Sequence, residues 1–371
     1  MAHPLDGIKQ HVLQHLPVAD ALKSLHKGSS VKMEGFTGSA ATVLIDALSG
    51  HFDAVLLLTQ DDEVSVQMVS DLRQLGNDSA LFFPSTRARP YDVSFVPDLS
   101  VMVQRSELLA SLHHTQKPVL VSSLSAFAEK MVSKKEFQER SFTIRQNQTV
   151  ALEELKIRLA DIGFVPDHFV RQPGEYAVRG GILDIFPFAG EYPVRLEFFG
   201  DTIDSIREFD PDSQRSITFL NETTLVPNAA FDTHSDRVHL LSYLPANTLI
   251  VLHKAGEWDV SYRTFWETTI AEYQTLAKEQ SDLPFPETYY TSYMEWTNIR
   301  ERVPLLQGGA LSSPYEASMS LTLRTSPHPS FQGSAKLLSG FIQEQSKKGG
   351  EVVILSEHQN QSDRLEELLG D

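Results

Sequence analysis

Apolar and polar positions along the first 130 residues follow the order typical of a parallel α/β sheet with covering helices. Short apolar runs that predict buried strands alternate with stretches in which apolar residues recur at helical spacing. Gly76 would end the first of these helices, and the Asp98 side chain would cap the start of the next. The predicted strands cover 53–59, 79–84 and 117–124, and the helices between them cover 63–76 and 98–114.

The pattern changes after about residue 132. One amphipathic helix is predicted over 149–163, and the segments that follow, 175–188 and 192–210, alternate apolar and polar residues as strands do. Gly200-Asp201 stands where a two-residue hairpin turn would join two of these strands. The sequence therefore predicts a small β-rich domain inserted between α/β parts.

A strand followed by a helix returns at 245–273, and a polar stretch that begins at Arg324 reads as a linker. The predicted fold class is thus α/β: a parallel-sheet domain in two sequence halves, an inserted β-rich α+β domain, and the truncated start of a further α/β domain made of helix, strand and helix. The corresponding ranges are 1–132 and 219–325 for the two halves, 133–218 for the insert and 326–371 for the linker and last domain.

Composition narrows the function classes. The 371-residue chain has 49 acidic and 32 basic residues, a net charge of −17, which disfavours non-specific binding to nucleic acid by this chain alone. There is no cysteine, so disulfides, thiolate metal sites and cysteine nucleophiles are excluded. No apolar run reaches membrane-spanning length, and the first ten residues do not resemble an export signal. We therefore expect a cytoplasmic protein with no membrane partner.

The segment GFTGSAAT, residues 35–42, resembles a phosphate-binding loop that has lost its lysine. The pattern G-x-x-x-x-G-K-[ST] begins at Gly35 and ends at Thr42, with Gly38 between them, but Ala40 and Ala41 occupy the second glycine and lysine positions. The lysine contacts the β- and γ-phosphates in working enzymes. Three interpretations remain at this point: an ordinary turn before a helix, a remnant of a phosphate loop, or a working ATPase.

A working ATPase also needs a carboxylate for magnesium at the end of a distant strand. The strand of the right kind ends in His253-Lys254-Ala255. We therefore expect no hydrolysis, no catalytic residues, no metal and no cofactor in this chain. His11 and His15 have the i, i+4 spacing of a metal-binding pair, but no third ligand is near them in sequence, so a surface role is expected.

A longer block supplies a family resemblance. Residues 174–217, GEYAVRGGILDIFPFAGEYPVRLEFFGDTIDSIREFDPDSQRSI, resemble the inserted domain shared by the bacterial transcription-repair coupling factor (Mfd) family and the excision-repair helicase UvrB. Residues 240–256 and 82–112 look like the coupling factor in particular. UvrB is expected to carry an intact phosphate loop and a long tyrosine-rich hairpin insertion, and this sequence has neither. With this resemblance, the loop at 35–42 is interpreted as a degenerate Walker A remnant.

The resemblance implies a UvrB-like amino-terminal module of a coupling factor, which recruits the damage-recognition ATPase UvrA in transcription-coupled nucleotide excision repair. RNA polymerase and double-stranded DNA would be bound by domains beyond residue 371, and the full-length protein would be an ATP-dependent DNA translocase. The UvrA-binding residues carried over are Arg179, in the motif VRG, Phe186 and Arg171. From the residues alone, Phe186 could equally belong to the core and Arg179 could be a solvated or ion-paired side chain.

The sequence therefore leaves three candidate functions for this chain. The first is a non-catalytic module that recruits UvrA. The second is a UvrB-like ATP-dependent DNA-repair helicase subunit, and the third is a nucleotide sensor that binds without hydrolysis.

Overall fold

The computed structural model describes residues 6–35, 39–86, 91, 98–112, 114–229, 237–309, 313–323, 325–327, 329–350, 352–354 and 359–369. The chain divides into two compact units, Met1–Thr325 and Ser326–Asp371. Among the described residues, no helix is both long and apolar enough to cross a membrane.

Fifteen strands are described, and in chain order they are β1 (Ser30–Glu34), β2 (Ala54–Thr59), β3 (Ala80–Phe83), β4 (Val119–Ser123), β5 (Phe142–Arg145), β6 (Val165–Pro166), β7 (Glu175–Arg179), β8 (Ile182–Ile185), β9 (Val194–Phe199), β10 (Thr202–Phe209), β11 (Ser216–Leu220), β12 (Glu222–Leu225), β13 (Thr248–Leu252), β14 (Leu305–Gly308) and β15 (Met319–Thr322). The described α-helices are α1 (Asp6–Gln14), α2 (Leu16–Leu25), α3 (Ala40–Ser49), α4 (Asp62–Gln74), α5 (Leu99–Ser111), α6 (Leu124–Ala128), α7 (Lys134–Arg140), α8 (Leu152–Asp161), α9 (Ala255–Leu276), α10 (Pro286–Tyr289), α11 (Tyr293–Arg300), α12 (Ala335–Lys347) and α13 (Gln359–Leu369). A short 3₁₀ helix covers Leu240–Tyr243.

A seven-stranded parallel sheet forms the centre of the first unit, in the order β15-β1-β14-β13-β2-β4-β3. Strands β1 to β4 come from the first sequence half and β13 to β15 from the second, and β1 lies between β15 and β14. The two halves therefore build one sheet, and the predicted α/β fold class with a separate β-rich region is confirmed.

Both faces of this sheet are buried, as parallel sheets require. On β2, Val55 and Leu57 pack into one core with residues of α2, α3 and α4, whereas Leu56 and Leu58 pack into the other with residues of α5, α6, α9 and α11. All six β2 side chains are buried, which explains why the strand appears in the sequence as an unbroken apolar run.

The predicted helix boundaries follow local chemistry. The Asp98 carboxylate accepts the backbone N–H of Ser100 at 2.9 Å and so caps α5. Asp61 caps α4 in the same way through the N–H of Val64 at 2.8 Å, and Gly76 follows that helix at φ +81°.

The inserted region contains a six-stranded sheet in the order β11-β10-β9-β8-β7-β6, antiparallel except for the β6–β7 pair. The predicted hairpin joins β9 to β10 through Gly200, at φ +62°. Strand β11 continues to Leu220 and β12 returns to pair with β5, so the elements of the insert extend beyond the predicted boundary at 218.

The inner face of the six-stranded sheet carries Leu183, Ile185, Leu196 and Ile206, which are at most 1% exposed and belong to the same core as α9 and α11. We call the opposite surface the outer face. Because this packing joins the insert to the parallel-sheet domain, the insert is held as part of one compact unit.

The second unit contains α12 and α13, neither of which has a buried residue. The sequence predicted a strand between these helices, but the described residues 352–354 are not in a strand. The prediction was wrong there because an apolar run forms a strand only when a neighbouring strand pairs with its backbone.

Candidate functional site

The degenerate loop follows β1 and leads into α3, the position of a phosphate loop in an α/β sheet. Gly35 and Ala40 to Thr42 lie in the described chain, whereas Gly38 lies outside it. Ser39 occupies the N-cap of α3 without a side-chain capping hydrogen bond. The elements on either side of the segment, β1 and α3, therefore follow in the order found around a phosphate loop.

Thr42 is directed into the protein. Its hydroxyl donates to the Met68 sulfur of α4 at 3.5 Å, and the residue is only 2% exposed. A phosphate-loop threonine places this oxygen on magnesium. In this chain the same oxygen is used in packing α3 against α4, and the adjacent Ala41 has no group that could contact phosphate.

His253 stands at the end of β13, where a magnesium-binding carboxylate would be needed. Burial and the neighbouring Lys254 lower the pKa of the imidazole, so the ring is uncharged at neutral pH. Within the described residues, no group of three or more His, Asp or Glu side chains could hold a metal ion.

His11 and His15 line a cavity of about 530 Å³ beside the start of α3. The other lining residues are mostly apolar, among them Val12, Val43 and Leu323. Among the described residues that line the cavity there is no carboxylate, so these residues supply the two imidazoles with no third ligand for a zinc ion.

On the outer face of the inserted sheet, Arg179 is part of a network around one buried carboxylate. Asp184 is 1% exposed and accepts hydrogen bonds from the guanidinium groups of both Arg179 and Arg195. The Arg195 Nε and Nη2 atoms lie 2.6 and 2.8 Å from the two carboxylate oxygens. Such a bidentate contact fixes the orientation of the guanidinium plane relative to the carboxylate plane.

The strand register creates this network. Asp184 of β8 is opposite Ala177 of β7 on one side and Arg195 of β9 on the other, and Arg179 is two residues along β7. Because directly opposed residues share a face, these side chains converge on the outer face. Arg195 also donates to Gln214 Oε1 at 2.8 Å, and the Asp184 hydrogen bond raises the pKa of its guanidinium.

Arg179 is the member of this network that reaches solvent. Its side chain is 37% exposed, whereas those of Arg195 and Asp184 are 11% and 1% exposed. Its guanidinium carbon lies 5.1 Å from the centre of the Phe169 ring, and Phe169 is 48% exposed. The surface thus presents an oriented guanidinium beside an accessible aromatic ring.

Phe186 is buried, whereas a side chain that contacts a partner protein must be exposed. The alternation predicted for 175–188 is seen at 183–186, where Asp184 and Phe186 lie on one face and Leu183 and Ile185 on the other. Phe186, however, is only 8% exposed and packs with Val170, Ala177 and Phe209. The chain preceding β7 folds over the outer face and covers the ring, so Phe186 supports the surface from below.

Arg171 lies on the covering segment beside Phe169 and is exposed. The Glu175 carboxylate accepts its backbone N–H at 2.8 Å and that of Gln172 at 3.2 Å. This anchoring holds the segment next to Arg179, so two of the three predicted contact residues share one surface.

Sequence reasoning did not single out Arg195 and Phe169, which contact the Arg179 network, or Arg207, which lies on the same face. Arg207 of β10 bonds Glu197 of β9 at 2.6 Å on the outer face, and this contact is the main cause of the lowered pKa of Glu197. The alternation of Arg195 and Glu197 with apolar residues in β9 was a usable signal, since it placed both on one face.

Comparisons with known proteins give matches to the insert and to more than half of the chain. Residues 142–231 match the UvrB interaction domain family, a stretch that begins at β5 and includes the whole six-stranded sheet. The chain is 33% identical over 223 residues to the transcription-repair-coupling factor of Myxococcus xanthus, which is 57% of this chain and 18% of the relative.

Two further coupling factors give similar values. The Escherichia coli protein is 29% identical over 205 residues, which is 55% of this chain and 18% of the relative. The Haemophilus influenzae protein is 28% identical over 196 residues, which is 53% of this chain and 17% of the relative. The chain thus spans less than a fifth of the length of these relatives. The resemblance seen in the sequence is confirmed: the insert matches the UvrB interaction domain family, and the chain is similar over more than half of its length to transcription-repair-coupling factors.

Proposed function

We propose that this chain is a non-catalytic module that recruits UvrA to stalled transcription complexes for nucleotide excision repair. The observation that carries the proposal is the oriented, solvent-accessible Arg179 on the outer face of a domain that matches the UvrB interaction family. The names of the relatives support the repair pathway, since all are transcription-repair-coupling factors. Translocation on DNA and binding to RNA polymerase would belong to the longer proteins of this family.

The mechanism follows from preorganisation. A free arginine side chain loses rotamer entropy when a partner immobilises it, and this loss weakens binding. Arg179 is already oriented by Asp184 and packed on Phe169, so less entropy remains to be lost. A carboxylate of UvrA could then approach the exposed side of the guanidinium, where arginine is a frequent source of binding energy.

Replacing Arg179 tests this function directly. We expect Arg179→Ala to weaken UvrA binding by about 30-fold, because an interface anchor contributes roughly 2 kcal/mol. Biolayer interferometry with purified UvrA and the 371-residue chain would measure this, and circular dichroism would verify the fold. Arg145→Ala is the matched control, since Arg145 is also an exposed arginine of the insert, paired with Glu222 at 3.0 Å in the separate two-stranded β5–β12 sheet.

Equal UvrA affinity for the Arg179 and Arg145 variants would contradict the assignment of Arg179. Absence of binding by the wild-type chain would contradict the recruitment function itself.

The proposed loss of nucleotide binding gives a second test. A ligand present at roughly a hundredfold excess over its dissociation constant stabilises a protein by about 2.7 kcal/mol, which would raise the melting temperature by several degrees. We expect no such shift with millimolar ATP and magnesium, because Ala41 offers no charge and Thr42 is directed to Met68. A shift would favour the nucleotide sensor, and DNA-stimulated ATP turnover would favour the helicase.

A further inference from the structure

Phe219 lies exposed on the edge strand of the inserted sheet. The residue is 71% accessible to solvent, and in the part of the chain that the structure describes its strand, β11, pairs with β10 alone. Arg207 is directly opposite Phe219 and bonds Glu197 on the outer face, so Phe219 shares that face. An aromatic ring in this position contributes no core packing and is accessible to a partner.

The cross-strand register connects Phe219 to the Arg179 network. A single row of opposed residues crosses five strands, and it consists of Phe219, Arg207, Arg195, Asp184 and Ala177. Neighbouring strands are about 4.8 Å apart, so Phe219 lies about 14 Å from Asp184 across the sheet. A typical interface covers about 800 Å² on each partner, a patch about 30 Å wide. A partner centred on the arginine network therefore reaches Phe219.

The charge along the surface also favours one continuous contact. Arg171, Arg179, Arg195 and Arg207 stand against Glu175, Asp184 and Glu197, which leaves one positive charge in excess on a chain of net charge −17. Between Arg179 and Phe219 the charges are mostly paired within the sheet. A partner can cover this region without burying an isolated charge, which would be costly.

We infer that the protein that binds Arg179 also covers Phe219, so that the outer face has a second, aromatic anchor on β11. The inference rests on the proposed function, and its occupant is UvrA. The partner surface would carry a carboxylate opposite Arg179 and an apolar depression opposite Phe219. Aromatic and arginine side chains are the residue types that most often dominate interface energies.

Phe219→Ser tests the second anchor. We expect UvrA affinity to fall by at least about tenfold, with Phe219→Tyr close to wild type because the ring remains. Met294→Ser is the matched control, because Met294 is similarly exposed, at 74%, on α11 of the parallel-sheet domain. Hydrogen exchange supplies a measurement without mutation: UvrA should protect the backbone amides of β11.

The outcomes separate the two proposals. Weaker binding by the Phe219→Ser and Arg179→Ala variants, with β11 protected, supports the second anchor. Weaker binding by Arg179→Ala alone, with β11 unprotected, overturns the anchor and leaves the recruitment function intact. A wild-type dimer that Phe219→Ser makes monomeric without a change in UvrA affinity would assign the ring to self-association and overturn the inference. No binding by the wild type overturns both proposals.

Discussion

Replacement of Asp184 by alanine should lower the free energy of unfolding by about 3–5 kcal/mol. The Asp184 carboxylate is shared by Arg179 and Arg195, and Arg195 is only 9% exposed. Removal of the carboxylate leaves the Arg195 guanidinium buried, with the neutral Gln214 amide as its remaining side-chain hydrogen-bond acceptor among the described residues. The cost comes mainly from this uncompensated charge. Urea unfolding followed by tryptophan fluorescence would measure it.

A double variant distinguishes the charge effect from loss of packing. Asp184→Leu combined with Arg195→Met removes both buried charges and keeps side chains of similar volume, so stability should return to within about 1 kcal/mol of wild type. UvrA binding should remain weak in this variant, because Arg179 no longer has a carboxylate that orients it. A cost below about 1 kcal/mol for Asp184→Ala alone would show that the carboxylate does not anchor this face.

The prediction of fold from sequence succeeded where the local pattern was long enough. Strand β2 is buried along its whole length, and its six apolar or small residues gave a clear signal. Strands β14 and β15 were not predicted, because their sequences, LLQG and MSLT, contain only two apolar residues each, whereas β3, which is equally short, has the apolar run ALFF. Their pairing with β1 across more than 270 residues of sequence makes them strands.

The residues of the candidate surface were predictable only where the pattern within a single strand determines their position. The family resemblance pointed to Arg179, and the period-two alternation of 175–188 is consistent with Asp184 and Phe186 on one face. The ion pair between Asp184 and Arg195 depends on the register between β8 and β9, which the alternation of a single strand does not determine. The burial of Phe186 depends on Val170, which a preceding segment brings over the sheet. Both features are tertiary, so they appear only in the folded chain.

The glycine that opens the degenerate loop provides the second large expected effect. Gly35 has φ +85°, and a Cβ added there would lie 1.9 Å from the Leu323 carbonyl oxygen. The same segment is bound to the loop, since Leu323 N–H donates to Glu34 O at 2.8 Å and the Thr325 hydroxyl donates to Gly35 O at 2.6 Å. In a working phosphate loop, glycines allow the backbone to approach the nucleotide. In this chain, the lack of a side chain at Gly35 allows the backbone at Leu323 to pack against the start of the loop.

We therefore expect Gly35→Ala to destabilise the protein by about 3 kcal/mol, of which about 1–2 kcal/mol is the cost of positive φ and the rest is steric overlap. Gly28→Ala is the matched control, because Gly28 has φ +75° but no atom within 4 Å of an added Cβ. Gly28→Ala should lower the free energy of unfolding only by the cost of a positive φ at alanine. The difference between the losses of the two variants then measures the steric contact with Leu323. Equal losses would show that the segment after β15 moves aside at little cost. A larger loss for Gly35→Ala would mean that this glycine is needed for strand packing, a structural requirement that holds whether or not the loop binds a nucleotide.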